Sequence, residues 1–288
     1  MPRALEPMRF GFLIAGTQKA ATSSLSGLLN QHPQVQRAPL KEMHFFDVER
    51  RGWPHVDYST YEVVPDDPRR RIVGDATPLY LWWPRAMVRI QRYNPDMKFI
   101  VVFRDPLERL FSQWSMVVNR WPDHAPTWSA FLTELAPDTL EDRIPEGTNP
   151  STYRMRSGIV RGYYGAQLAR GFEMFGRERF HLVEFRAFVG RPEPAVDAIT
   201  DFLGLDRFVR QPRLPHALPG RPATTDDVPT GSDITGLVEV YRADFELFKQ
   251  LSGLDVAHWP IQRLIDGRLD PAELADQFAA KLIQPARG

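Results

Sequence analysis

Lys19 sits three residues after Gly16 in the stretch GTQKAATSS, and Thr22, Ser23 and Ser24 follow it. An ammonium, three hydroxyls and small residues at the mouth of a helix are what a turn needs to wrap an anion. The first N–H groups of a helix lack intrahelical partners and carry positive dipole character. Gly16, Gln18, Ala20 and Ala21 complete this candidate set. The common nucleotide loop, G-x-x-x-x-G-K-[ST], places a hydroxyl after the lysine to hold Mg²⁺, whereas alanines follow Lys19. The stretch therefore disfavours an ATPase. A second anion site is indicated by VVFRDPLERLFSQW, where Arg104 can fork onto a phosphate and Ser112 lies farther along the same segment. KEMHFFD supplies a carboxylate, Glu42, and an imidazole, His44, as candidate proton acceptors. A free glutamate titrates near about 4.3, so Glu42 needs an environment that raises it, while a free imidazole already suits neutral pH.

These groups need elements to position them. Phe10 to Ala15 is an apolar run ended by Gly16, and Leu25, Leu28 and Leu29 recur at helical spacing behind Thr22. Strand, turn and helix follow in that order. Arg71 to Gly74 predicts a short strand, Pro84 to Tyr93 a helix, and KFIVVF, Lys98 to Phe103, the clearest strand in the chain. Pro106 suits a first helical turn, with Leu107, Leu110, Phe111, Trp114 and Val118 on one face, and Arg104 falls at the strand's carboxyl end, where ligands gather in open α/β sheets. Gly162–Phe175, Pro194–Leu203, Thr235–Leu251 and Pro271–Leu282 read as helices, and His181–Phe185 as a strand. Ala136–Thr152 and Pro212–Ser232 read as loops, the first resembling a lid.

Thirty-six basic and thirty-six acidic side chains cancel, so no net field draws the chain to nucleic acid or an acidic membrane. With no cysteine and no closely spaced histidines, disulfide and thiolate-metal chemistry are excluded and no metal ligand set is expected. No signal peptide or membrane-length apolar run is legible, which predicts a cytoplasmic protein, and the arginine-rich, cysteine-free composition fits a bacterial one. Arginine far outnumbers lysine, yet two of the five lysines, Lys19 and Lys41, fall within these motifs.

GTQKAATSSLSGLLNQHPQV followed by KEMHFFD resembles the sulfotransferases that use 3′-phosphoadenylyl sulfate (PAPS), in particular the heparan sulfate N- and 3-O-sulfotransferase-like group and its bacterial relatives. The resemblance implies that Lys19, Thr22, Ser23 and Ser24 hold the 5′-phosphosulfate and that Arg104 and Ser112 hold the 3′-phosphate. It implies that Glu42 is the base, with His44 as runner-up or as a positioning group. His32, Pro33 and Val35 match that group's HPxV segment, Tyr164 a tyrosine of its central helix, and Arg221 in LPGRPATTDD its nucleotide-closing loop. GDATPLYL departs from the group's E-K-[ST]-P-x-Y by placing Asp75 and Ala76 at the acidic and lysine positions, with Lys41 a conceivable substitute cation.

The expected fold is a P-loop-like open parallel α/β sheet flanked by helices, with a lead-in over 1–8, a sulfotransferase domain over 9–260 and a helical C-terminal extension over 261–288. The expected activity is metal-free sulfuryl transfer from PAPS, leaving adenosine 3′,5′-bisphosphate (PAP), to a hydroxyl, or less readily an amine, of a small molecule, glycoside or natural product. A nucleotide kinase and a non-catalytic nucleotide-binding protein are the alternatives. Tyr80, Trp82, Trp83, Trp114, Trp121 and Trp128 are candidate linings for an acceptor.

Overall fold

The computed structural model describes residues 5–49, 51–133, 157–210, 212, 223–225 and 227–283. Arg221 and the loop read over Ala136–Thr152 lie outside them, as does most of the first half of Pro212–Ser232. The chain folds as two compact units, one of residues 1–103 and 169–217, the other of 104–168 and 218–288.

The first unit is built on a parallel sheet in the order β2, β4, β1, β5, β6. Its strands are β1 (Met8–Gly16), β2 (Val35–Gln36), β4 (Ile72–Asp75), β5 (Lys98–Phe103) and β6 (Phe180–Glu184), and β3 (Glu62–Val63) pairs antiparallel with the start of β1. β1 and β5 are covered on both faces, which is why they read as unbroken apolar runs. α1 (Thr22–Leu29) lays Leu25, Leu28 and Leu29 on Phe12, Ile14, Ile100 and Val102, with Val196, Ile199 and Leu203 of a later helix completing that core layer. The chain leaves α1 through HPQV. His32 Nε2 meets the Asp206 carbonyl at 2.8 Å, and its ring stands edge-on to Phe208. α2 (Pro84–Tyr93) starts on its proline, as the sequence predicts.

The second unit is helical. It contains α3 (Pro106–Arg120), α4 (Trp128–Leu132) and the first turn of α5 (Tyr164–Phe175), then, past two helices of the first unit, α6 (Phe185–Gly190) and α7 (Pro192–Leu203), it resumes with α8 (Gly231–Ser252), α9 (Pro260–Ile265) and α10 (Pro271–Ala279). Its aromatic core stacks Phe111 on Phe278 and Phe248 on Trp259. The elements expected from periodicity are present, with ends shifted by a few residues where caps decide them. α8 begins at Gly231 because Thr230 and Asp233 form a reciprocal capping box.

Candidate functional site

The turn after β1 is unusual in its backbone. Among the described residues only Lys19, Ala21 and His44 are non-glycine with a left-handed φ, at 70°, 59° and 48°, and all three fall in GTQKAATSS or KEMHFFD. A left-handed residue with a Cβ costs about 1–2 kcal/mol, so two within three residues mark a turn whose shape is held against its own preference. Thr17 helps to hold it, since both its N–H and its Oγ1 donate to the Val102 carbonyl of β5, at 2.8 and 3.1 Å. The Ala20 N–H closes the turn on the Thr17 carbonyl at 3.2 Å, so the donors the turn can aim at an anion are the first N–H groups of α1.

The helix start keeps those N–H groups open. Ala21 provides no side-chain cap and α1 has no acidic residue in its first turn. Every other described α-helix starts on a proline or on N–H groups taken by a side chain, as Asp244 takes those of Gly165 and Ala166 in α5. α1 has neither device. Gln18 and Lys19 are half-buried, Ser23 is exposed, and Thr22 and Ser24 are buried. The Ser24 hydroxyl is enclosed without a hydrogen-bond partner. Ala20 is fully buried and Gly16 backs onto Val101 and Leu81, so these two shape the turn through backbone and packing.

Glu42, His44 and Asp47 form a connected row. Asp47, fully buried, accepts from His44 Nδ1 at 2.8 Å, and His44 Nε2 lies 3.3 Å from Glu42 Oε2. Lys41 Nζ lies 2.5 Å from Glu42 Oε1. Burial pushes the Glu42 carboxyl up, but hydrogen bonds from His44 and Lys41 and the two cationic partners outweigh it and hold it at about 2. This corrects the expectation of a raised carboxyl: the site supplies counter-charges as well as burial. His44 is thereby engaged on both nitrogens as a positioning group, with Phe45 and Phe46 packed in the core behind it.

The segment hangs from β4. Asp75 accepts from the Met43 N–H at 3.2 Å, from Thr77 at 2.8 Å and from the Tyr61 and Tyr80 hydroxyls at 2.8 Å each, while Thr77 Oγ1 accepts from the His44 N–H at 3.4 Å. Burial raises Asp75 to about 6 against those four donors. Ala76 is buried in the apolar layer under α1, and its N–H donates to the Lys41 carbonyl at 3.3 Å. The roles of Asp47 and Asp75 were not read from the sequence. The only local signal was an aspartate at the end of KEMHFFD and another opening DATP, and neither shows its long-range partners.

Arg104 and Ser112 belong to the second unit and are half-buried. Arg104 Nε faces Glu108 Oε2 at 3.4 Å, and Ser112 Oγ has no hydrogen-bond partner among the described residues. Tyr164, the match to the family's central-helix tyrosine, is buried and donates to the Arg104 carbonyl at 3.0 Å. Asp105 caps α3 by accepting from the Glu108 N–H at 2.9 Å and accepts from the Ile261 N–H of α9 at 2.8 Å. Burial and the neighbouring Glu108 raise its carboxyl to about 7. Arg109 is fully buried and donates to Gln113 Oε1 at 2.7 Å. Of the aromatic candidates, Tyr80, Trp82, Trp83, Trp114 and Trp128 are buried, whereas Trp121 is exposed.

Comparison with known proteins gives one consistent answer. A family model described as "Sulfotransferase family" matches residues 54–209, a span that takes in Arg104 and Ser112. Heparan sulfate glucosamine 3-O-sulfotransferase 5 of Mus musculus is 26% identical over 200 residues, 69% of this chain and 54% of that protein. Heparan sulfate glucosamine 3-O-sulfotransferase 6 of Homo sapiens is 30% identical over 213 residues, 73% of this chain and 57% of that protein. The chain thus spans about half the length of the curated relatives it matches. A solved sulfotransferase from Alicyclobacillus acidocaldarius superposes with a TM-score of 0.67 at 26% identity, over 88% of this chain and 99% of that one. Among the described residues no helix is long and apolar enough to cross a membrane.

Proposed function

The chain belongs to the sulfotransferase family, and from that premise we propose that it moves the sulfuryl group of PAPS to a hydroxyl of a small acceptor. What supports this reading above all is the turn at Lys19: an uncapped helix start, two left-handed residues and a half-buried lysine in one place. The enclosed, unpartnered Ser24 hydroxyl and the polar Thr22 and Ser23 beside it fit a phosphosulfate better than an apolar ligand. PAPS supplies the activated sulfuryl group and a phosphate leaving group. Lys19 and the first N–H groups of α1 hold the 5′ end, and Lys19 follows charge onto the leaving phosphate oxygen. Arg104 and Ser112 take the 3′-phosphate.

Glu42 takes the proton of the acceptor hydroxyl as its oxygen bonds to sulfur and the bond from sulfur to the bridging oxygen breaks, the electron pair passing to the phosphate. A carboxyl held at about 2 is a feeble base, so the acceptor has to displace Lys41, whose side chain is 40% exposed, from Glu42. Without the ammonium one of the two lowering partners is gone and basicity rises, while the His44 hydrogen bond still opposes burial. Small hydroxylated molecules in the cytoplasm, rather than the polysaccharides named for the relatives, are the acceptors proposed. Calorimetry checks the donor assignment. The protein is expected to bind PAP without added metal, and absence of PAP binding refutes it.

A further inference from the structure

α1 presents two unlike stripes. Leu25, Leu28 and Leu29 face the core, while Ser23, Ser26, Gly27 and Asn30, at helical spacing, line the opposite side. With Arg37, Ala38, Leu40, Lys41 and Gly74 of β4 they line a cleft of about 220 Å³ wholly within the first unit. The lining takes in Ser23 of the anion turn, at the start of α1, and Lys41, the neighbour of Glu42. Arg37 meets Asn30 at the end of α1, and seven residues of α1 at 1.5 Å per residue separate Ser23 from Asn30 by roughly 10 Å.

Arg37 is prepared for a ligand. Its Nε donates to the Asn30 carbonyl at 3.2 Å, which fixes the plane of the guanidinium at the end of α1. Its terminal amino groups make no hydrogen bond or ion pair with a described residue. A guanidinium oriented at one edge and open at the other presents the parallel N–H pair that a carboxylate accepts. Ser26 and Asn30 are linked to each other, Nδ2 to Oγ at 3.5 Å, so the wall offers weak polar contacts. Leu40, 62% exposed, adds an apolar surface for a carbon skeleton.

We infer that this cleft is the acceptor subsite and that Arg37 selects acceptors carrying a carboxylate roughly 10 Å from the reacting hydroxyl. The inference rests on the proposed transferase reading. It adds Arg37 as a specificity residue and hydroxylated organic acids as the substrate class.

The experiment titrates the PAP-saturated protein with two pairs, 3-(4-hydroxyphenyl)propionate against its primary amide and 4-(4-hydroxyphenyl)butanoate against its primary amide. At least one acid should bind tenfold or more tightly than its amide. Arg37→Gln should bring the pair to within about twofold of each other while PAP affinity is unchanged, because Arg37 is exposed and loses a single hydrogen bond. Ser26→Phe, which fills the cleft from the solvent side of α1, should weaken both members of the pair and also spare PAP. Equal binding of acid and amide, binding of neither, or an acid preference that survives Arg37→Gln overturns the assignment. A protein that fails to bind PAP at all refutes the donor reading instead, so the two failures are told apart.

Discussion

Two strand-to-helix turns leave neighbouring parallel strands, one from β1 into α1 and one from β5 into α3, and they treat the helix start in opposite ways. The first leaves its N–H groups open, bends through left-handed Lys19 and Ala21, and carries no acid. The second closes its helix with Pro106 and with the buried Asp105 carboxyl, which also reaches Ile261 of α9. Only the first offers a helix dipole to a ligand. At the second, Pro106 has no N–H and the Glu108 N–H is taken by Asp105, so side chains such as Arg104 and Ser112 are the better placed donors there. A helix N-terminus becomes a site when the sequence withholds its cap.

Substitutions can break that contrast. The largest effect is expected at Lys19→Ala, which removes the charge that follows the leaving group; turnover of labelled PAPS should fall by about 100- to 1,000-fold. Next comes Arg104→Ala, which should weaken PAP by roughly 10- to 100-fold but leave adenosine 5′-monophosphate, lacking the 3′-phosphate, almost unchanged. Calorimetry with both nucleotides reads the ratio, and equal loss for the two would erase the division of labour between the turns.

The sealed turn has a pH signature. Asp105 sits at about 7 in the folded protein, against an ordinary carboxyl near about 3.9, so the folded state binds the extra proton between those values and stability falls as pH rises through that window. Asp75, at about 6, contributes in the same direction. Asp105→Asn keeps a capping side chain and should flatten the decline in thermal midpoint from pH 4 to 7; an unaltered slope would remove Asp105 from the account. The smallest effect belongs to the open turn. Ala21→Gly relieves the left-handed backbone and should raise stability by about 0.5–1 kcal/mol in chemical denaturation, while PAP binding weakens by roughly two- to fivefold because the freed backbone is then ordered by the anion.

The contrast was half legible in the sequence. β1 and β5 read correctly because strands covered on both faces are continuously apolar, and Pro106 announced α3. Lys19, Thr22 and Glu42 stood out by residue type. What the sequence concealed depends on partners far along the chain: Asp75 gathers Met43 and Tyr61, and Tyr164 turns inward to Arg104. The lowered Glu42 carboxyl was hidden for a different reason. Lys41 and His44 are near neighbours in sequence, but only the left-handed turn at His44 brings its ring to the carboxylate.

Apart from Gly16 at its edge, the open turn contains no glycine, though two of its residues adopt the conformation for which glycine is the usual choice. A glycine version would be easier to fold and looser afterwards. With lysine and alanine there, and Thr17 tied twice to Val102, the loss of backbone freedom is settled during folding and is not deferred to the arrival of the anion. Capture then calls for little loop rearrangement, and the calorimetric entropy of PAP binding should carry the signature of released solvent in place of an ordering penalty.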